Sequence, residues 1–152
     1  MTDSPTPRSE PTALDALQQT LAAEHAVVHL FTALGGMTSA SREPELAALL
    51  REQYQVHRGR REQLMVMVRT QGAQPVAAEP AYALPEASTA DLVRAAGLEA
   101  EERCAQTYAA QVAATTAEAR DWAVMTLAET ASTLLRWGAD ATPFPGAPDL
   151  LA

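Results

Sequence analysis

Apolar residues recur along the first third of the chain at Leu14, Leu17, Leu21, Val28 and Phe31. The steps are three and four, with a single gap between Leu21 and Val28, which is the period of a helix buried on one face. Thr12 followed by Asp15 is a capping-box arrangement, and Gly35-Gly36 suits the end of such a helix. A second helix is expected from Pro44, a favoured first-turn residue, with Leu46, Leu50, Leu64 and Met67 on its stripe and an end near Gly72. Ser88 and Asp91 cap a third, carried by Leu92, Ala95, Ala109 and Val112. Thr115 and Glu118 cap a fourth, with Trp122, Met125 and Leu135 turned inward and Gly138 at its close. No alternating strand pattern or hairpin turn signal interrupts this series.

The connections are unequal. Short loops join the first helix to the second and the third to the fourth. Residues 73–87 contain Pro75, Pro80 and Pro85 and are excluded from helix. Extended, such a segment reaches roughly 50 Å, enough to travel the length of a ~25-residue helix. Two hairpins joined by one long crossover predict an all-α, ferritin-like four-helix bundle, with the crossover between helices two and three. Residues 1–11, with Pro5, Pro7 and Pro11, read as a disordered arm. Residues 12–138 form the bundle, and 139–152 a proline-rich tail expected to pack back through Phe144 and Leu150.

The 152 residues fit one domain able to bury roughly 70% of its unfolded surface. A formal charge of −8 opposes a nucleic-acid partner, which needs a basic face. No apolar run is long enough for a membrane span, the first residues do not form a secretory signal, and a lone Cys104 fits a reducing compartment. A cytoplasmic protein with no nucleic-acid or membrane partner is therefore expected. Every basic residue apart from histidine is Arg, and the chain has no Lys, Asn or Ile. That bias reads as pressure from a GC-rich genome, so Arg richness alone argues for nothing.

The chemistry lies in what interrupts the apolar stripes. Glu24 fills the gap in the first helix; Gln53, His57 and Arg60 fall on the inward line of the second. Glu99 and Glu102 are placed on that of the third, and Glu129 and Ser132 on that of the fourth. Isolated buried charges cost several kcal/mol each, so interruptions at one height imply mutual compensation. Folding the first hairpin about residue 40 brings Glu24 within about 3 Å of the height of His57. Two readings follow. A structural polar layer would use Glu24, His57, Arg60, Glu99 and Glu129, with Arg bridging carboxylates. A degenerate centre for iron or another divalent metal would use Glu24, His57, Glu102 (or Glu99) and Glu129. Di-iron bundles carry Glu-x-x-His on two helices, whereas this chain offers Tyr54-x-x-His57 and Glu129-x-x-Ser132.

Other features weigh less. His25 and His29 have a spacing that can hold a metal on one helix face, but are expected at the core edge and in solvent. Gly59 and Gly97 sit mid-helix at about 1 kcal/mol each relative to Ala, which suggests close helix approach, room for a bulky neighbour, or a small-ligand cavity. Cys104 reads as packing, and no residue is assigned a catalytic role.

Several segments together carry a resemblance. They are Ala23-Glu24-His25-Ala26, the run from His57 to Leu64, Glu79-Pro80-Ala81-Tyr82-Ala83-Leu84-Pro85, Leu98-Glu99 with Tyr108, and Phe144-Pro145-Gly146. On these the chain resembles an actinobacterial ferritin-like family catalogued as a domain of unknown function, from about residue 14 to 150. Glu62 stands where that pattern expects Asp. The resemblance implies a ferritin-like fold and no known activity, and its basic run favours an Arg–Glu network over a metal. The expected function is a non-catalytic binding or interaction module, acting as a homodimer or with a protein partner and needing no cofactor. The alternative is an iron-dependent oxidase or storage relative.

Overall fold

A computed structural model describes residues 11–151. The arm expected at 1–11, apart from its last residue, and the packing expected of Leu150 lie outside what it describes. The chain folds as four helices: α1 (Ala13–Met37), α2 (Pro44–Thr70), α3 (Ala90–Ala114) and α4 (Ala117–Trp137), then a 3-10 turn at Pro148–Leu151. Among the described residues there is no strand, and no helix is long and apolar enough to cross a membrane.

Local chemistry sets most helix ends. Thr12 accepts from the Asp15 amide while Asp15 accepts from the Thr12 amide, so the capping box is formed. Pro44 opens α2, and Gly138 closes α4 in the left-handed conformation with φ 101°. The cap of α3 is Thr89, one residue beyond the expected Ser88, and its hydroxyl accepts from the Leu92 amide. Thr115 does not cap α4; it ends α3, buried, and donates to the Gln111 carbonyl. Thr116 precedes α4 with no side-chain cap bond.

Packing around the bundle is uneven. α1 lies against both α2 and α3, and α3 against α4, with backbones close. α2 and α4 meet through side chains instead: Glu52 with Arg136, Arg60 with Glu129, and Gln63 with Trp122. The order of these pairs shows the two helices to be antiparallel. The crossover climbs beside α1. Gln18 holds Gln74 and Val76, His25 donates to the Val76 carbonyl, and His29 lies against the Tyr82 ring. Two apolar clusters flank mid-height: Leu17, Leu21, Leu64 and Val68 at one end, and a larger group around Phe31, Leu34, Leu46 and Trp137 at the other. Each fully buried Leu contributes roughly 1.5–3 kcal/mol.

The inward faces of α1 and α2 are those expected. α3 and α4 are rotated. α3 buries Val93, Ala96, Gly97, Ala100, Glu101, Cys104, Ala105, Tyr108 and Gln111, while Leu92 and Ala95 are exposed. α4 buries Ala123, Thr126, Thr130, Leu134 and Trp137; Met125 and Leu135 face outward, and Trp122 is half-buried. The alanine around α3 erases the contrast between its faces, and the first three buried positions of α4, Ala123, Thr126 and Thr130, are small or polar. Apolar size therefore points to the wrong side of both helices.

Beyond α4 one residue of the tail meets α3. Gly146 sits so close to the Ala105 carbonyl that a side chain there would collide with it, while Phe144 keeps 46% of its surface exposed.

Candidate functional site

A charged layer lies between the two apolar clusters. His57 is fully buried with a carboxylate on each side: Nδ1 is 2.8 Å from Glu24 Oε2, and Nε2 is 3.2 Å from Glu101 Oε1. Tyr108 donates its hydroxyl proton to the other Glu24 oxygen. Arg60 enters from α2 beside them. Its Nη1 donates to the Tyr108 hydroxyl at 3.3 Å and to Thr130 Oγ1 at 3.1 Å, and its Nη2 to Glu129 Oε2 at 3.3 Å. The guanidinium carbon also stands 5.3 Å from the centre of the Tyr108 ring, within cation–π range. Phe31 covers the His57 ring at 5.4 Å, and Trp122 meets Tyr108 edge-on at 6.0 Å.

The electrostatics follow from burial. Removal from water would lower the basicity of His57. The Glu24 charge, and hydrogen bonds to Glu101 and Glu24, outweigh that and raise it from 6.5 to about 9. The ring is therefore an imidazolium at neutral pH, donating from both nitrogens. Burial also pushes the Tyr108 phenol and the Cys104 thiol well above their ordinary values, so both stay protonated. Two carboxylates thus face two cations, His57 and Arg60, and the buried charge cancels.

Of the residues placed in the layer from sequence, Glu24, His57 and Arg60 are there. Glu129 reaches it only at the edge, with its side chain 65% exposed. Glu99 is not in it. It is exposed and pairs with Arg103 on its own helix at 2.8 Å. Glu102 is also exposed, so the set Glu24, His57, Glu102 and Glu129 is not assembled; only its first two members touch. The carboxylate that α3 supplies is Glu101, which lies between those two candidates. Tyr108 and Thr130 were likewise missed. Gly97, Glu101, Cys104 and Tyr108 step by four, three and four along the buried face, a helical spacing that the neighbouring Glu99 and Glu102 keep from standing out in the sequence.

The ligand set of a di-iron bundle does not fit what is present. Imidazole binds a metal through a bare nitrogen, and both nitrogens of His57 are turned to carboxylates. Arg60 occupies the neighbouring space with a charge it does not release. Among the described residues no three His, Cys, Asp or Glu side chains are arranged to hold a metal ion. His25 and His29 are engaged separately along the crossover.

The mid-helix glycines divide. A methyl group on Gly97 would strike the Trp137 indole, so this glycine makes room for a bulky neighbour. A methyl group on Gly59 would meet nothing. Gly59 lines a groove of about 650 Å³ between α2 and α4, with Val56, Arg60, Gln63, Val66, Met67, Trp122, Met125 and Glu129 among its walls.

Fold and site together define an all-α four-helix bundle with a self-neutralising charged layer across its middle. The chain belongs to the family described as "Domain of unknown function (DUF4439)", which matches residues 16–149. It is similar to a conserved hypothetical protein, rv2844, from Mycobacterium tuberculosis, at 30% identity. The crystal structure of that protein agrees with a TM-score of 0.75 over 85% of this chain and 97% of that one. No curated protein matches the chain.

Proposed function

We propose that this protein is a ferritin-like bundle, of the type found in actinobacteria, that works in the cytoplasm as a non-catalytic binding module. Its buried layer holds four helices in one register. The observation that carries this reading is the engagement of His57 on both ring nitrogens by Glu24 and Glu101, with Arg60 completing the charge balance. A general base needs a free lone pair near its operating pH, and a metal ligand needs the same lone pair. An imidazolium that titrates at about 9 between two carboxylates supplies neither at neutral pH. Buried charges of this kind specify which helix faces meet, since a one-residue slip would leave a charge unpaired.

One observation favours the alternative, a metal-binding relative. Glu101 Oε2 is buried without a hydrogen-bond partner. Such an atom can hold a water or a cation. Two measurements separate the readings. Protein purified without a chelating tag is titrated with ferrous iron under oxygen, where near-zero stoichiometry and no ferroxidase signal are expected; stoichiometric oxidation would overturn the proposal. In a double-mutant cycle of Glu24→Gln and His57→Gln by urea unfolding, a coupling above about 1 kcal/mol is expected for partners in one buried network. Simple additivity would remove the register role.

A further inference from the structure

The groove between α2 and α4 opens at the edge of the charged layer where Arg60 meets Glu129. Three observations there have no explanation within the chain itself. Gly59 sits in the middle of α2, where glycine weakens a helix, yet no neighbouring atom requires it. Val66 and Met125 expose 59% and 65% of their surface on opposite walls. Arg60 is 94% buried (6% exposed), with Nη1 held by Tyr108 and Thr130, while Nη2 reaches the groove and touches only Glu129.

That last contact is loose. At 3.3 Å it is longer than a strong guanidinium–carboxylate bond, and the Glu129 side chain is mostly in water. A half-exposed pair of this sort adds little to stability. A carboxylate arriving from solvent can displace Glu129 and leave the charge beside Arg60 unchanged. The groove volume, about 650 Å³, lies within the range of small-molecule sites. From Arg60 to Met67 the α2 wall runs about 10 Å, the reach of a straight chain of about eight to ten carbons. Apolar groups line that run, Val66 and Met67 from α2 and Trp122 and Met125 from α4, and Val56 lines the groove one turn before Arg60. Glu118, which also lines the groove, brings a negative charge, so one anionic end is favoured over two.

We infer that this groove binds a small apolar monocarboxylate. Its carboxylate sits on the Arg60 guanidinium in place of Glu129, and its hydrocarbon body leaves the bare backbone of Gly59 and runs between Val66 and Met125 towards Met67. The site rests on the binding-module reading and supplies its ligand class. It can fail while the register role of the layer stands, because the two are read by separate measurements.

The test is calorimetric titration of the intact chain with decanoate, and with decanol as the uncharged control, below their aggregation limits. Decanoate is expected to bind one per chain, and decanol at least about tenfold more weakly, the factor carried by one charge-assisted hydrogen bond. Glu129→Gln removes the competing carboxylate and is expected to tighten decanoate binding severalfold. Gly59→Leu fills the groove floor and is expected to abolish binding, while thermal unfolding shows the bundle intact. Absence of decanoate binding, equal affinity for decanol, or full affinity in a folded Gly59→Leu variant would each overturn the inference.

Discussion

His57 shows how one residue ties charge to stability. Its folded basicity, about 9, lies above the ordinary 6.5 of the unfolded chain. A raised cationic group stabilises fully below the unfolded value, and the benefit is lost as pH rises through the folded one. At about 1.4 kcal/mol per unit the span is about 3 kcal/mol. Urea midpoints are therefore expected to fall between pH 6 and pH 9.5, with His57→Gln flattening the slope; an unchanged slope in that variant would assign the effect elsewhere. The glycines give a second contrast at this scale. Gly97→Ala drives a methyl into Trp137 and is expected to cost about 1–3 kcal/mol. Gly59→Ala meets open space and is expected to stabilise by about 1 kcal/mol. Thermal unfolding of the two variants should shift in opposite directions.

Among the helices, α3 and α4 separate what periodicity reveals from what it hides. On α1 and α2, Leu17, Leu21, Leu46, Leu50 and Leu64 are buried where their spacing predicts, and Glu24, His57 and Arg60 share their faces. On α3, alanine on every side leaves hydrophobic periodicity nothing to detect, and Glu99, Glu101 and Glu102 differ in position but not in character. The structure selects Glu101, and the consequence is measurable. Glu101→Gln removes one partner of a buried cation and is expected to lose about 3 kcal/mol or more, whereas Glu102→Gln stays within about 0.5 kcal/mol. Equal urea midpoints for the two variants would reject the register. The turn between α3 and α4 carries its own strain, since Ala117 holds φ 50°. An L-residue in that region is disfavoured by roughly 1–2 kcal/mol, so Ala117→Gly is expected to raise stability, by up to about 1 kcal/mol once its greater unfolded freedom is counted.

At the scale of the whole molecule, the crossover decides how the hairpins meet. It lies along α1, clamped where Gln18 donates to the Gln74 carbonyl and accepts from the Val76 amide. Gln18→Ala removes both bonds, and faster hydrogen exchange at the Val76 amide is the expected outcome; unchanged exchange would show the strap to be held otherwise. With the crossover beside α1, the closed sides of the bundle fall between α1, α2 and α3 and between α3 and α4. The α2–α4 side is left to side chains, so the groove and the Arg60–Glu129 contact lie there. The sequence by itself determined the four helices, the Thr12 cap, the Pro44 start of α2 and the Gly138 end of α4, the long crossover and three members of the charged layer. Those features are encoded by local spacing, and the first hairpin brings Glu24 and His57 to one height, as simple geometry predicts. Only the tertiary structure decided the rotation of α3 and α4, and with it the choice of Glu101, Tyr108 and Thr130. An alanine-rich or threonine-lined helix can turn about its axis at little local cost, so its inward face is set by contacts with the other three helices.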